Sequence, residues 1–257
     1  PDPSEFLFPS LPLDSPPSDL DAFVGLPQQM MVQGVVQELP DIWPPFINEA
    51  TLLPWIDVYF KRLHPTVPIL SRSTLYHEML MRKHRVDKQY GAMLLSLCAF
   101  AMTQPVQIHE RASVPSRTVQ ARMMMEESVK MRVTADFGEY PTIEAVLSSF
   151  FLFACLFGAN QHKAAWHRIR EAVDLAGSLG IQNPDSYIGL SSEQREQWLR
   201  TYLVLSVTER AYALQQRHSI SFRGRPGFNA RFMQAFDQTT AEDYISRLIY
   251  QDQADAV

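Results

Sequence analysis

Apolar residues recur at helical spacing over most of the chain, and this periodicity restricts the fold more than any other feature of the sequence. One early stripe follows i, i+3, i+4, i+7 spacing: Ile56, Tyr59, Phe60 and Leu63. Similar stripes continue to about Gln216, and no segment shows the convincing alternation of a strand. The sequence therefore predicts an all-α fold, a bundle or solenoid-like array of antiparallel helices.

Capping residues and glycines predict where the helices begin and end. Ser191, with Gln194 three residues later, forms a capping box before a long helix. Gly180 is a stop for the helix before it. After the first helix, the predicted helices run from Ser73 to about Lys83, Tyr90 to Met102, Ser116 to Arg132, Pro141 to Phe157, Asn160 to Gly180, Ser191 to Gln216, and from Thr239 to about Ile249. The helix ending at Phe157 is apolar nearly all round, which predicts a central position.

Residues 1–45 form a separate, proline-rich leader. They hold ten of the 18 prolines, and proline removes backbone donors and fixes φ. We therefore predict an acidic, disordered linker over residues 1–45 and one helical domain over residues 46–257. The chain starts at Pro1, which we interpret as the start of a fragment or of a processed product.

The charge distribution argues against a general nucleic-acid-binding surface. The formal net charge is −5, whereas such surfaces are basic. The charge is also uneven, because residues 1–60 hold nine acids and no Lys or Arg. The longest apolar run, residues 150–157, is far too short to span a membrane.

Metal and catalytic sites find little support in the sequence. Cys98 and Cys155 lie inside apolar runs, which predicts two reduced core thiols. None of the seven histidines forms the i, i+4 pair of a helical zinc site. No phosphate-binding loop or nucleophile motif is present, so we expect no enzyme activity and no metal or cofactor in this chain.

Three further features allow either a structural or a binding interpretation. Glu209 lies on an apolar helix face and needs a partner, for which Arg168 and Arg170 are candidates, either to fix the helix register or to sense a ligand. Methionines at 79, 81 and 123–125 either fill the core or line an adaptable surface. Basic residues at 217, 223 and 225 either bind an anion or complement a helix C-terminus.

Several segments, in a fixed order, resemble one protein family. Residues 165–181 read AWHRIREAVDLAGSLGI, and residues 207–214 read VTERAYAL. Upstream lie WIDVYF at 55–60, HPTVPIL at 64–70 and PTIEAV at 141–146. Together they resemble the middle homology region of fungal binuclear zinc-cluster transcription factors, in the branch of sugar-utilisation activators. The resemblance covers about residues 46–222.

The resemblance implies a regulatory domain that acts in the nucleus on RNA polymerase II genes, by effector- or partner-dependent modulation. Coregulators or other domains of the same protein are implied partners, and a small-molecule effector and a homodimer stay open. The family's six zinc-binding cysteines are absent, so DNA and zinc are expected only at a module outside this chain. The family's region often continues beyond Val257, which leaves truncation open. The alternative is a helical scaffold or adaptor without transcriptional output.

Two sets of residues are the candidate functional residues. From the matched segments, the structural or regulatory candidates are Trp166, Arg170, Glu171, Arg200, Glu209 and Arg210. In the leader, acids alternate with apolar residues, and the candidates there are Asp19, Leu20, Asp21 and Phe23. Acidic-hydrophobic alternation is typical of activation segments, which recruit a partner through their apolar residues. A plain linker is the alternative for this segment.

Overall fold

A computed structural model describes residues 41–105, 115–133 and 139–220 of the chain. The part of the chain so described is all-α, as predicted, and contains no strand. Its α-helices are α1 Leu53–Val58, α2 Arg72–Leu80, α3 Lys88–Met102, α4 Arg117–Val133, α5 Ile143–Gly158, α6 His162–Leu179 and α7 Ser192–Gln216. A π-helical turn, Tyr59–Leu63, extends α1, and short 3-10 turns lie at Glu49–Thr51, Lys83–Arg85 and Pro184–Tyr187.

Side-chain caps start α5 and α7 where the sequence predicted them. The Ser191 hydroxyl accepts from the Gln194 N–H at 3.2 Å, and Gln194 Oε1 accepts from the Ser191 N–H at 3.0 Å. Thr142 caps α5 by accepting from the Ala145 N–H at 3.2 Å. Gly180 ends α6 in the left-handed region at φ 80°, where a residue without Cβ is favoured. These local signals mark the starts of α5 and α7 and the end of α6.

The second helix differs from its prediction at both ends. Its cap is Ser71, not Ser73, because the Ser71 hydroxyl accepts from the Thr74 N–H at 3.4 Å. The helix ends at Leu80 rather than Lys83, because Arg82 adopts a left-handed conformation at φ 56°. The predicted helix after Thr239, the leader residues 1–40 and the basic residues Arg223 and Arg225 lie outside the described residues.

Two buried helices, α3 and α5, form the centre of the described fold. α4 packs on α3, α6 packs on α5, and α7 packs on α6 and α5. Phe100 of α3 stacks on Phe151 of α5 with ring centroids 6.0 Å apart. The prediction that α5 is central is therefore confirmed, and α3 shares that position because nearly all its side chains are buried. Trp43, which precedes the predicted domain start at residue 46, is also part of this core.

Small polar side chains bring three helices close together inside the core. Ser128 of α4 donates to the Ala92 carbonyl of α3 at 2.8 Å, and its hydroxyl lies 3.2 Å from that of Ser148 on α5. All three residues are buried, so these hydrogen bonds satisfy groups that water does not reach. The helices are consequently fixed in register as well as in contact.

The predicted core cysteines are confirmed as buried. Cys98 and Cys155 are free thiols with almost no solvent exposure. Burial raises the pKa of Cys98, and it raises that of Cys155 to about 12. Both thiols therefore stay protonated and unreactive near neutral pH.

Among the described residues, no helix is long and apolar enough to cross a bilayer.

Candidate functional site

An aromatic cluster holds the start of α6 against the end of α7. The Trp166 ring stacks on Tyr212 with centroids 5.8 Å apart, and on His218 with centroids 4.1 Å apart. The Arg170 guanidinium lies over the same indole, 5.7 Å from its centroid. Trp166 and Arg170, both predicted from the motif, therefore meet at one place in the fold.

The register of α6 against α7 is set by Tyr212. Its hydroxyl donates to the His162 carbonyl at 2.7 Å, and its ring packs edge-on against Phe153 of α5 at 5.5 Å. Arg170 lies one turn beyond Trp166, which stacks on Tyr212, and Glu209 lies one turn before Tyr212. The two helices run antiparallel through this contact, so Arg170 comes level with Glu209.

Glu209 is fully buried, as its place on an apolar helix face predicted. Of the two predicted partners, Arg168 donates instead to Glu171 at 2.7 Å. Arg170 is therefore the remaining candidate partner of Glu209, and this pairing stays a prediction. Arg210 is exposed and donates back to the Ser206 carbonyl at 2.9 Å, so it lies on the outer face of α7.

Glu171 lies on another side of α6 and joins that helix to α4. Its carboxylate accepts from Arg132 of α4 at 3.0 Å and from Arg168 at 2.7 Å. Arg132 also donates to the Ser149 hydroxyl of α5 at 2.7 Å. Burial disfavours the charged form of Glu171, but the two guanidinium groups outweigh it and hold the pKa of this carboxyl below 4.5. Sequence reasoning missed Arg132, because nothing in α4 marks it as the partner.

A groove of about 810 Å³, here called the α4–α6 groove, opens next to this ion network. Its floor is apolar and consists of Met102, Leu152, Cys155 and Leu156. The walls belong to α4 and to the start of α6, and they carry the charged residues Arg117, Arg122, Glu126, Lys130 and Arg168. An apolar floor with a cationic rim suits an occupant that is both apolar and acidic.

Of the predicted methionines, Met125 lines the α4–α6 groove, while Met124 is buried and Met79 packs against the core. Met81 and Met123 are exposed. Core filling therefore applies to Met79 and Met124, whereas an adaptable binding surface stays a prediction for the other three methionines.

A second recess, here called the Arg200 cavity, is polar and measures about 430 Å³. Arg200 donates to the Pro68 carbonyl at 3.3 Å and pairs with Glu196, so it joins α7 to the loop before α2. Gln197 and Trp198, which also belong to α7, line the same wall of the cavity. This predicted residue is therefore remote from the Trp166 cluster.

The opposite wall of the Arg200 cavity is an ion triad. The Lys83 ammonium lies 2.9 Å from Glu78 and 3.0 Å from Glu144. Burial disfavours the charged form of Lys83, but Glu144 and Glu78 outweigh it and raise its pKa above the ordinary value. The cavity lining holds four acids and two cations, so its formal net charge is −2.

Within residues 41–105, 115–133 and 139–220, no three His, Cys, Asp or Glu side chains cluster closely enough to hold a metal ion. Arg217 ends α7 in the left-handed region at φ 57°, which agrees with the helix-terminus interpretation of that basic residue. Asp19, Leu20, Asp21 and Phe23 lie outside the described residues.

The chain matches one protein family and one curated relative. The family described as "Fungal specific transcription factor domain" matches residues 56–223. A protein of Candida albicans, "Probable sucrose utilization protein SUC1", is 26% identical over 166 residues. That alignment covers 65% of this chain but only 32% of the relative, about a third of its length. No solved structure matches.

Proposed function

The chain belongs to the fungal specific transcription factor domain family, and we propose that it modulates RNA polymerase II transcription in the nucleus in response to an effector or partner. The match to residues 56–223 carries this proposal, because it runs from α1 past the end of α7. It confirms the resemblance seen in the sequence motifs. The chain is a regulatory domain of a fungal transcription factor.

Neither DNA contact nor catalysis is assigned to the described helices. In this proposal, DNA is bound by a zinc-containing module elsewhere in the protein, and the helices alter the output of that module. The family is a transcription-regulatory one rather than an enzymatic one. Cys98 and Cys155 are buried and protonated, so neither thiol is a reactive nucleophile.

The relative's name suggests genes of sugar use as targets, and the Arg200 cavity suits a small, neutral, polyhydroxylated effector. The Gln197 side-chain amide both donates and accepts hydrogen bonds, and a carboxylate such as Glu78 accepts from hydroxyl groups. Trp198 adds an apolar face of the kind that the C–H side of a sugar ring can contact. With a net charge of −2, the lining disfavours anionic ligands.

A reporter experiment tests the regulatory role. The whole chain is inserted between a heterologous DNA-binding domain and a strong activation domain in yeast, and output is measured on sucrose, maltose and glycerol. We expect the insertion to change reporter output severalfold, and the change to depend on the carbon source. An inserted spacer of equal length from an unrelated helical protein is the control.

Equal output from the chain and from the spacer on every carbon source would overturn the regulatory role. A helical scaffold or adaptor predicts that result, because it would hold partners together without altering transcription. The chain's abundance is compared by immunoblot in each strain, so that a change in output is not a change in protein level.

A further inference from the structure

We propose that the α4–α6 groove binds a small-molecule carboxylate with an alkyl chain. The chain lies on the apolar lining of the groove, and the carboxylate lies at Lys130 and Arg168. This site is separate from the Arg200 cavity, because the two linings share no residue. The inference goes beyond the proposed regulatory function, which does not require a ligand of this class.

The size of the groove suits a small molecule. Its volume of about 810 Å³ lies within the range of about 300–1,000 Å³ that is typical of ligand pockets. A three-turn helix of a partner protein, about 10 Å wide and 16 Å long, would occupy about 1,200 Å³. The groove therefore fits a small ligand better than a partner helix.

The apolar lining suits an alkyl chain. Four of its apolar side chains are only partly buried: Met125, Val129, Leu156 and Ala164. An alkyl chain between α4 and α6 would remove their remaining surface from water, and the hydrophobic effect favours that burial. Met125 can also adjust to the shape of the chain, because methionine is unbranched and flexible.

Two cations, one from each wall, lie at the same end of the groove. The Arg132 guanidinium of α4 lies 3.0 Å from the Glu171 carboxylate of α6. Lys130 precedes Arg132 by two residues, and Arg168 precedes Glu171 by about one turn. Both Lys130 and Arg168 line the groove. The ion pair between the walls therefore brings these two cations to the end where the ligand carboxylate is proposed to lie.

Arg168 has N–H groups to offer a ligand. A guanidinium carries five N–H donors. Within the described residues, the only hydrogen bond of Arg168 runs from Nη1 to Glu171 at 2.7 Å. The side chain is 29% exposed, so a ligand in the groove can reach its other donors. Such donors can bind a carboxylate through two parallel hydrogen bonds.

The charge of the lining favours an anion. The lining has a formal net charge of +3, from Arg117, Arg122, Lys130 and Arg168 against Glu126. The ion partners beside it lower this value to +2, since they add Arg132, Glu127 and Glu171. Attraction to an anionic ligand is therefore expected, and salt weakens it. An alkylammonium ion of the same length would be disfavoured.

Titration calorimetry of the whole chain with sodium dodecanoate, below the concentration at which it forms micelles, tests the proposal. We expect one dodecanoate to bind per chain. Each methylene removed should weaken binding about fourfold, so decanoate should bind about fifteenfold more weakly. Dodecyltrimethylammonium, which has the same chain and the opposite charge, should bind about tenfold more weakly or worse.

Two variants locate the binding site in the groove. Lys130→Gln/Arg168→Gln should weaken dodecanoate binding about tenfold, because both carboxylate partners are lost. The matched control is Lys61→Gln/Arg62→Gln, which removes an exposed Lys and Arg from the π turn and should leave binding unchanged. Ala164→Trp should abolish binding, because its indole would fill the groove. Circular dichroism and thermal unfolding identify the variants that are folded.

Three outcomes would overturn the proposal. The wild-type chain binds no dodecanoate, dodecyltrimethylammonium binds as tightly as dodecanoate, or a folded Ala164→Trp variant binds as the wild type does. A groove that serves a protein partner predicts the first outcome, and nonspecific adsorption of alkyl chains predicts the second. None of these measurements involves transcription, so the regulatory function is judged separately.

Discussion

The Arg132 guanidinium of α4 and the Glu171 carboxylate of α6 lie 3.0 Å apart at one end of the α4–α6 groove. The pair joins two helices that are separated along the groove by the apolar side chains of α3 and α5. Because Glu171 also accepts from Arg168, its carboxylate binds one guanidinium from α4 and one from α6. One carboxylate therefore links α4 to α6 beside the groove.

Replacing Glu171 by Gln should make stability less dependent on pH. The folded-state pKa of this carboxyl is below its ordinary value of 4.5. Its stabilising contribution is therefore full above that ordinary value and is lost as the pH falls through the folded-state pKa. With the side chain 34% exposed, we expect about 1 kcal/mol near pH 7 after screening, shrinking toward zero near pH 3.

Urea unfolding of both proteins at each pH measures this difference in the free energy of unfolding. Glu126→Gln, at an exposed carboxyl on the outer part of α4, is the matched control, for which we expect a much smaller change. A wild-type advantage over Glu171→Gln that is as large near pH 3 as near pH 7 would contradict the assignment.

Replacing Glu209 by Ala should cost roughly 3–5 kcal/mol, because it leaves the partner of a buried charge uncompensated. If Arg170 is that partner, the double variant Glu209→Ala/Arg170→Ala should be more stable than the sum of the single changes predicts, by about 1 kcal/mol or more. Thermal and denaturant unfolding of the four proteins of the cycle give the coupling energy. Arg210→Ala, next in sequence but exposed, should change stability by less than about 0.5 kcal/mol.

The purified chain should contain no stoichiometric zinc and should bind DNA weakly. Its only two thiols are buried and protonated, and its net charge of −5 opposes association with phosphate. Elemental analysis measures the zinc content, and a gel shift with duplex DNA at two salt concentrations measures binding. One zinc per chain after dialysis, or a shift that salt abolishes, would contradict this prediction.

The Arg200 cavity should bind neutral disaccharides in preference to phosphorylated sugars. Titration calorimetry of the whole chain with sucrose, maltose and glucose 6-phosphate measures the preference. Gln197→Ala should weaken disaccharide binding about tenfold, because one side-chain amide of the cavity wall is lost. Gln182→Ala, an exposed amide before α7, is the control and should leave binding unchanged. If glucose 6-phosphate binds as tightly as the disaccharides, the Arg200 cavity is not the binding site, because its lining has a net charge of −2.

Residues 1–45, fused to a heterologous DNA-binding domain, should activate a reporter through Leu20 and Phe23. Short segments of this kind lose affinity to the cost of ordering, so we expect micromolar contacts, about −8 kcal/mol. The double variant Leu20→Ala/Phe23→Ala should abolish activation, whereas Leu11→Ala/Leu13→Ala, in the same leader, should not. Output equal to that of the bare DNA-binding domain would identify the leader as a spacer.

Local signals made most of the helices predictable. A capping box is complete within four residues, so Ser191 and Gln194 are sufficient to start α7. Where two hydroxyls compete, local reasoning is weaker. Ser71 rather than Ser73 caps α2, and the extended backbone at Ser71, with ψ 131°, is what decides between them. α2 ends early because Arg82 adopts a left-handed backbone conformation. Arg82 is not a glycine, so the sequence does not mark this helix end.

The sequence by itself determined the helices, the burial of Glu209 and the family, because helical periodicity and the order of the motifs can be read directly along the chain. Only the tertiary structure decided which faces meet. Arg132 and Glu171 are 39 residues apart, and Arg200 reaches a carbonyl 132 residues away. An amphipathic pattern reports that a helix face is buried, but not which helix covers it. The groove and the cavity exist only because packing sets the distance between helices that are remote in the chain.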